Sequence, residues 1–290
     1  MPTKIEWTEE TWNPVVGCTK CSPGCDNCYA ERMAARLANI AAAKFLKGKC
    51  PPSLMRYKYV VENDRIAYLG GAIPEEDGIP VRVRKYLPKW NGQIEWRKTV
   101  LDKPLRWRKP REIFVCSMSD LFHEKVPFGF IQLVLSVIRS CNHTFLILTK
   151  RIKRAAQFFV FDKENQAYAS RLYRIPKNLC LGVSVCNPDE KPKIDTLRRI
   201  PAALKFVSFE PLLADIGELD LTGIQQVIVG GESGPGARPM QPDWVRSIRD
   251  QCAEPDVPFF FKQWGGRNKK AAGRILDGRE HNDLAWRLGR

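Results

Sequence analysis

Histidine is scarce, with three residues in a chain of 290, and His123, His143 and His281 show no metal-ligand spacing. A histidine-built metal cage is therefore excluded from the expectations. No apolar run follows Met1, so no secretory signal is visible. The longest apolar stretch, Phe128 to Ile138, is too short to span a bilayer and is interrupted by Gln132 and Ser136. No internal repeat or low-complexity tract occurs, which removes solenoids and arrays. Acidic residues are in deficit: 32 Asp and Glu stand against 47 Lys and Arg, a net charge of +15. Such an excess favours an anionic partner, of which nucleic acid is the commonest, although a generally basic surface would look the same. The expected location is cytoplasmic, with no membrane association. There thiols stay reduced, so the ten cysteines are not read as a disulfide framework. Clustered cysteines in such a chain point to metal or catalysis.

Short, nearly continuous apolar runs recur along the sequence. They are Ile113–Ser117, Thr144–Thr149, Leu179–Val185, Lys205–Phe209, Gln226–Gly230 and Pro258–Lys262, with an earlier one at Trp12–Val16. Continuous rather than alternating character predicts strands buried on both faces. Helical patterns lie between several of them: Tyr29–Lys47, Phe130–Arg139 behind Pro127, and Asp243–Cys252 behind Pro242, with Asp243 as N-cap. Alternation of this kind predicts a parallel sheet with right-handed crossovers. The expected fold is α/β, a complete or partial βα (TIM-like) barrel of six to seven parallel strands. A doubly wound open sheet is the alternative. The whole chain, 1–290, reads as one domain with an inserted segment at about 50–111, rich in Pro, Gly, Arg, Lys and Trp.

Polar residues gather just after the predicted strands. They include Ser117, Ser119 and Asp120; Thr149, Lys150 and Arg151; Ser184, Cys186 and Asn187; Ser208 and Glu210; Gly230, Gly231 and Glu232; and Lys262, Gln263 and Trp264. In parallel α/β proteins the C-terminal strand ends form the active face. Any one of these residues is equally a cap or turn; their repetition over six strands is the signal.

The densest motif is Cys18-Thr-Lys-Cys21-Ser-Pro-Gly-Cys25-Asp-Asn-Cys28, followed at once by a predicted helix. Zinc ribbons separate their cysteine pairs by a longer loop, so the spacing suits an iron–sulfur cluster better. Zinc and unmetallated thiols stay open as alternatives. Four thiolates would close a 4Fe–4S cluster, whereas three leave one iron open for chemistry. Cys21, Cys25 and Cys28 have the C-x3-C-x2-C spacing of radical S-adenosylmethionine (SAM) enzymes. The remaining cysteines, Cys50, Cys116, Cys141, Cys180, Cys186 and Cys252, read mostly as small core residues. From Val81 to Arg111 eleven cations face two acids, with Trp90, Trp96 and Trp107 interleaved. Cations beside aromatics are the ingredients of a nucleic-acid groove, for which Arg84, Lys85, Lys89 and Trp90 are the candidates. The other reading is that the tryptophans cover the barrel end.

The stretches TWNPVVGC, SPGCDNCYAERMA, PLRWRKPREIFVCSMSDLFH, FLILTKR, LGVSV, FVSFEPLL, VIVGGESGPGARPM and PFFFKQWGG, from Thr11 to Gly266, resemble the phage Gp37/Gp68 family, a radical-SAM-like group. The resemblance implies a C-x6-C-x2-C ligand set of Cys18, Cys25 and Cys28, with Cys21 as an extra or alternative ligand. It implies a 4Fe–4S cluster, S-adenosylmethionine, a 5′-deoxyadenosyl radical and a flavodoxin- or ferredoxin-type reductant. The commonest radical SAM pattern has an aromatic residue before the last cysteine; Asn27 stands there and Tyr29 follows, so Tyr29 is the candidate to pack on the adenine. Candidate cofactor contacts are Ser117, Ser119, Asp120, Ser184, Glu210, Gly230, Gly231 and Glu232, the two glycines allowing close backbone approach. Cys116 and Cys186 are candidate hydrogen-atom donors. The expected activity is modification or repair of a nucleic-acid base, in the manner of spore-photoproduct-lyase-type enzymes. The alternatives are a radical SAM enzyme acting on a small molecule or protein, and a non-catalytic nucleic-acid-binding protein with structural zinc or a closed cluster.

Overall fold

The computed structural model describes residues 3, 5–36, 59–62, 65–68, 90, 92–160 and 175–288. Seven parallel strands run in simple chain order: β1 (Glu10–Trp12), β2 (Glu112–Val115), β3 (Thr144–Thr149), β4 (Leu179–Ser184), β5 (Leu204–Phe209), β6 (Gln226–Gly230) and β7 (Phe259–Gln263). They curl into a half-barrel with helices between them, a partial α/β barrel. The helices are α1 (29–36), α2 (Phe128–Arg139), α3 (Ile152–Val160), α4 (Pro192–Arg198), α5 (Pro242–Ala253) and α6 (Lys269–Ala272). The apolar runs of the sequence become strands because both faces are covered. Ile113, Phe145, Ile147, Leu181, Val183, Val207, Val227, Val229 and Phe261 pack outward in one core with the helices. In α2 the buried Phe130, Ile131, Val134, Leu135 and Ile138 form the helical stripe that meets it.

The inner face carries a second, smaller core. Trp7, Leu146, Cys180, Phe206, Ile228, Phe260, Leu284 and Trp286 fill the half-barrel from its N-terminal end. Trp7 packs on Phe114 and Trp286, with ring centroids 4.6 and 6.2 Å apart. Gln226 holds the C-terminal segment beneath the strands, donating to the carbonyls of Pro258 and Asp283 and accepting from Ala285 N–H. Arg287 closes this floor with a forked bond to the buried Glu112 at 2.7–3.0 Å.

Several boundaries differ from the sequence reading. Asp243 is not the cap of α5; Gln241 precedes the helix without a side-chain cap bond, and Pro242 occupies the first turn, where its missing N–H costs nothing. The early strand is Glu10–Trp12 rather than Trp12–Val16. Val15–Val16 instead pairs antiparallel with Glu95–Trp96 of the inserted segment. Within that segment Tyr59–Glu62 pairs antiparallel with Arg65–Tyr68. Cys116, Cys180, Cys186 and Cys252 are buried and Cys141 is half-buried; Cys50 lies outside the described residues. Among the described residues no helix is long and apolar enough to cross a membrane.

Candidate functional site

The cysteine loop lies across the C-terminal mouth of the half-barrel. Gly17 bridges Ser119 after β2, which brings Cys18 to the strand ends. A short 3-10 turn, Pro23–Cys25, follows, capped by Ser22, whose Oγ accepts from Gly24 N–H. Gly24 sits directly on the Cys186 sulfur, leaving no space for a Cβ there. The loop is thus pressed into the mouth rather than standing off it. The thiols of Cys25 and Cys186 are buried, those of Cys18 and Cys28 half-buried, and Cys21 is exposed.

Two anchors hold this loop. The first grows from the end of β3. Asp120, buried, accepts from Thr149 Oγ1 at 2.8 and 2.9 Å, from Phe122 N–H and from Lys150 N–H. That network fixes the backbone from which Arg151 projects. Arg151 donates to both Glu124 oxygens, to the Thr19 carbonyl and hydroxyl at 2.9 Å, and to Cys18 Sγ at 3.6 Å. His123 joins it: its Nδ1 accepts from Lys125 N–H, so Nε2 carries the proton and donates to Thr19 Oγ1 at 2.8 Å. The second anchor comes from the segment after β6. Glu232 Oε2 accepts from Asn27 Nδ2, Arg238 N–H and Arg238 Nε, and Oε1 accepts from Arg238 Nη2 at 2.6 Å. Arg238 also reaches the Pro23 carbonyl and Asp26.

The electrostatics of the mouth single out one thiolate, Cys25, and keep its neighbours Cys18, Cys21 and Cys186 protonated. A hydrogen bond from Cys21, opposed by burial and aided by Lys150, pulls the Cys25 thiol down to about 5, while the same bond and burial push Cys21 up. Burial and Asp120 raise Cys18 to about 11 in spite of Arg151. Burial opposes the Lys150 ammonium, but Cys186, Cys25, Cys28 and Asp120 outweigh it and raise its pKa. No hydrogen bond or ion pair to Lys150 Nζ is found among the described residues. This half-buried ammonium faces thiols and the Asp120 carboxylate, so it is placed to balance anionic charge at the mouth.

The other candidates fall into three groups. Ser117, Ser119 and Asp120 come together at the mouth, but Ser117 Oγ bonds Asn13 and Ser119 Oγ bonds the Val15 carbonyl, so both fix the approach to the cysteine loop. Ser184, Cys186 and Glu210 line the inner face beneath the loop. Ser184 Oγ is buried without a hydrogen-bond partner among the described residues. Glu210 Oε1 accepts from Lys262 Nζ at 2.6 Å, across the space that Gly230 leaves open. Gly231 serves protein packing rather than ligand approach: a Cβ there would meet the Trp264 carbonyl. Cys116 packs in the main core, where burial raises its thiol to about 12.

The profile of a family described as a protein of unknown function, DUF5131, matches residues 2–285. The chain belongs to this family. No curated protein and no solved structure matches the chain.

In this DUF5131 chain the described residues of the basic segment are divided between the two ends of the strands. Trp96 and Arg97 lie beside the cysteine loop through the pairing with Val15–Val16. Residues 103–111 instead lie at the opposite end of the strands, where Trp107 stacks on His143 between Lys103 and Arg111. There the tryptophan covers the barrel end. Trp90 is tied to α1, its N–H donating to Glu31 Oε1 at 2.6 Å. Arg84, Lys85 and Lys89 lie outside the described residues. Tyr29 projects from the mouth, 57% exposed, and does not line the interior.

Lys150, Arg151, His123, Asn27 and Arg238 are the residues that sequence reasoning did not assign. Their only local signal was position: Lys150 and Arg151 directly follow an apolar strand.

Among the described residues no three His, Cys, Asp or Glu side chains converge on a metal position, since Cys18 turns to Arg151 and Cys21 to Cys25. The donor chemistry nevertheless fits an iron–sulfur group. Four soft thiols share one loop, one of them already inclined to ionise, and two cations stand ready to balance thiolate charge.

Proposed function

We propose that this protein is an iron–sulfur-dependent radical SAM enzyme acting on a nucleic-acid base. The observation that carries the reading is the placement of Cys18, Cys25 and Cys28 across the catalytic end of a partial α/β barrel, over Lys150 and beside Arg151. When bound, a 4Fe–4S cluster with one open iron supplies the electron that cleaves S-adenosylmethionine reductively. The chain itself does the rest. Arg151 and Lys150 offset thiolate charge. Ser184, Glu210 and Lys262 offer a hydroxyl, a carboxylate and an ammonium on the inner face, suited to polar and zwitterionic groups of a cofactor. The floor of Trp7, Leu284 and Trp286 excludes water from below, which protects reactive species from quenching.

The substrate assignment rests on charge and on the rim. The chain carries +15. Around the mouth Lys20, Trp96, Lys98, Lys125 and Tyr29 are exposed. Cations and free aromatic faces of this kind suit phosphates and unstacked bases. A cytoplasmic setting and a flavodoxin- or ferredoxin-type reductant belong to the same proposal.

The deciding experiment is anaerobic reconstitution, reduction and incubation with S-adenosylmethionine. The expected product is 5′-deoxyadenosine, with iron and sulfide bound to the chain. One zinc per chain and no iron would overturn the reading. Binding to DNA and RNA across a salt series tests the substrate: a log–log slope of roughly −0.7 to −0.9 per phosphate neutralised is expected. No binding at low salt would move the substrate to small molecules.

A further inference from the structure

The inference rests on the cysteine loop being the metal-binding loop, and it concerns residues that bind no metal themselves. Asn27 stands immediately before Cys28. Its amide nitrogen donates twice, to Glu232 Oε2 and to the Gly236 carbonyl, both at 2.9 Å. Glu232 is 4% exposed, and among the described residues all its side-chain bonds go to Asn27 and Arg238. Arg238 completes the circuit at the Pro23 carbonyl, 2.9 Å away, and at Asp26, 3.3 Å away. One turn further on, Arg32 of α1 donates to the Ser233 carbonyl. Segment 232–238, more than 200 residues along the chain, therefore grips the cysteine loop at Pro23, Asp26 and Asn27 and the helix behind it at Arg32.

We propose that Glu232, Arg238 and Asn27 form a clasp that positions Cys25 and Cys28 over the half-barrel, and that Asn27 occupies its place in the motif as the hook of this clasp. The physical reason is that, among the described residues, packing on Cys186 is joined on that side by few directional bonds from elsewhere in the chain. Arg151 and His123 act at Cys18 and Thr19, the entering end of the loop. Among the described residues, the side-chain bonds that reach Pro23 to Cys28 from distant parts of the chain are those of Arg238 and Glu232. A buried carboxylate with a bidentate guanidinium is directional, so it fixes orientation as well as distance. Asn27 suits the hook because its amide offers two donors on one short side chain. Phenylalanine at position 27 could make neither bond, and the single donor of tyrosine or tryptophan could make at most one. Glu232 is thus a positioning residue that acts through Asn27.

The test compares wild type with Asn27→Ala, Glu232→Gln and Arg238→Ala by amide hydrogen exchange over residues 22–32 in the metal-free chain, and by iron retained after anaerobic reconstitution. Asn27 is half-buried at the surface, so its truncation leaves the core intact; melting temperature checks each variant. Opening of residues 22–32 should rise by roughly tenfold or more in each variant, the weight of one hydrogen bond to a charged group. Iron retention should fall in parallel. The double variant Asn27→Ala/Glu232→Gln should be no worse than the poorer single, because both break the same link. Unchanged exchange in Asn27→Ala and Glu232→Gln, at unchanged melting temperature, overturns the clasp even if wild type binds iron. Faster exchange in a chain whose wild type takes up no iron upholds the clasp and sinks the metal reading instead.

Discussion

The two ends of the same seven strands are built from opposite materials. The floor is apolar and closed: Trp7, Phe206, Leu284 and Trp286 fill it, and one ion pair, Arg287 with Glu112, seals its rim. The mouth is polar and bonded over long distances, through Asp120 to Thr149, Arg151 to Thr19 and Glu232 to Arg238. Both ends are buried, so burial alone does not mark a site. A network of several buried charges does; the floor has the single buried carboxylate Glu112, closed off by Arg287. A floor of this kind is made for stability. Groups as costly to bury as Asp120, Arg151 and Glu232 persist where their arrangement serves something else. The comparison predicts that damage at the two ends will separate stability from metal binding.

The sharpest break should come from the loop. Cys18→Ala, Cys25→Ala and Cys28→Ala should each lose bound iron entirely, measured as iron and sulfide per chain, while the melting temperature of the metal-free chain stays nearly unchanged. Cys21→Ala should keep most of the iron. If Cys21→Ala loses the cluster and Cys18→Ala keeps it, the ligand set is the C-x3-C-x2-C triad instead. At the floor the pattern should invert. Trp286→Ala removes a large buried ring and should cost about 3–5 kcal/mol in denaturant unfolding. Iron bound per folded molecule should not change. A Trp286→Ala chain that folds stably but binds no iron would mean that the two ends are coupled.

The strands were legible in the sequence and the mouth only in part; Trp7, Leu284 and Trp286 of the floor were not anticipated. Runs such as Thr144–Thr149 and Gln226–Gly230 became strands with those bounds, because continuous apolar character is a local property that a two-sided core enforces. Three helices were not anticipated. Ile152–Val160 begins three residues after β3 ends, and Pro192–Arg198 and Lys269–Ala272, of seven and four residues, are too short for periodicity to stand out. Asp120, Ser184 and Glu210 were placed correctly at the strand ends by position. What they bond to was not readable. Asn27 meets Glu232 across 205 residues, and Arg151 meets Cys18 across 133. Spacing along the chain carries no information about such pairs. The GGE letters suggested ligand contact, and the structure gives Gly231 to the Trp264 carbonyl and Glu232 to Arg238.

A smaller effect is expected where one mouth hydroxyl is removed without changing shape. Thr149 Oγ1 donates to Asp120 and accepts from Arg151 N–H at 2.9 Å. Thr149→Val keeps the volume and leaves the Asp120 carboxylate short of a donor. Unfolding should become easier by about 2 kcal/mol, as for a hydrogen bond to a charged group. Iron retention should drop as well, since Arg151 loses its fixed backbone. Leu181→Val in the outer core should cost about 1 kcal/mol and leave retention alone. Equal retention in both variants would erase the distinction between the polar and the apolar end.

The mildest probe is acid. Glu190 and Glu232 both lie at the mouth, and both titrate below the ordinary value of 4.5. Burial pushes each upward, but Lys193, Ser22 and Cys186 N–H hold Glu190 down, and Arg238 and Asn27 hold Glu232 down. A carboxyl depressed in the folded chain takes up its proton later than it would in the unfolded one. Its contribution is therefore present in full above about pH 4.5 and is lost as pH falls through the folded pKa. The apolar side chains of the floor core bring no depressed carboxyl of this kind. Protection against hydrogen exchange should thus fall first at Cys186 and Arg238, whose N–H groups donate to Glu190 and Glu232 at 2.9 Å. Val227 and Phe261 N–H, bonded to the backbone of Pro258 and His281, should hold on to lower pH. Glu190→Gln should flatten the acid response at Cys186 and leave that at Arg238 in place. Simultaneous loss at all four amides would make mouth and floor one cooperative unit, with no separately removable polar end.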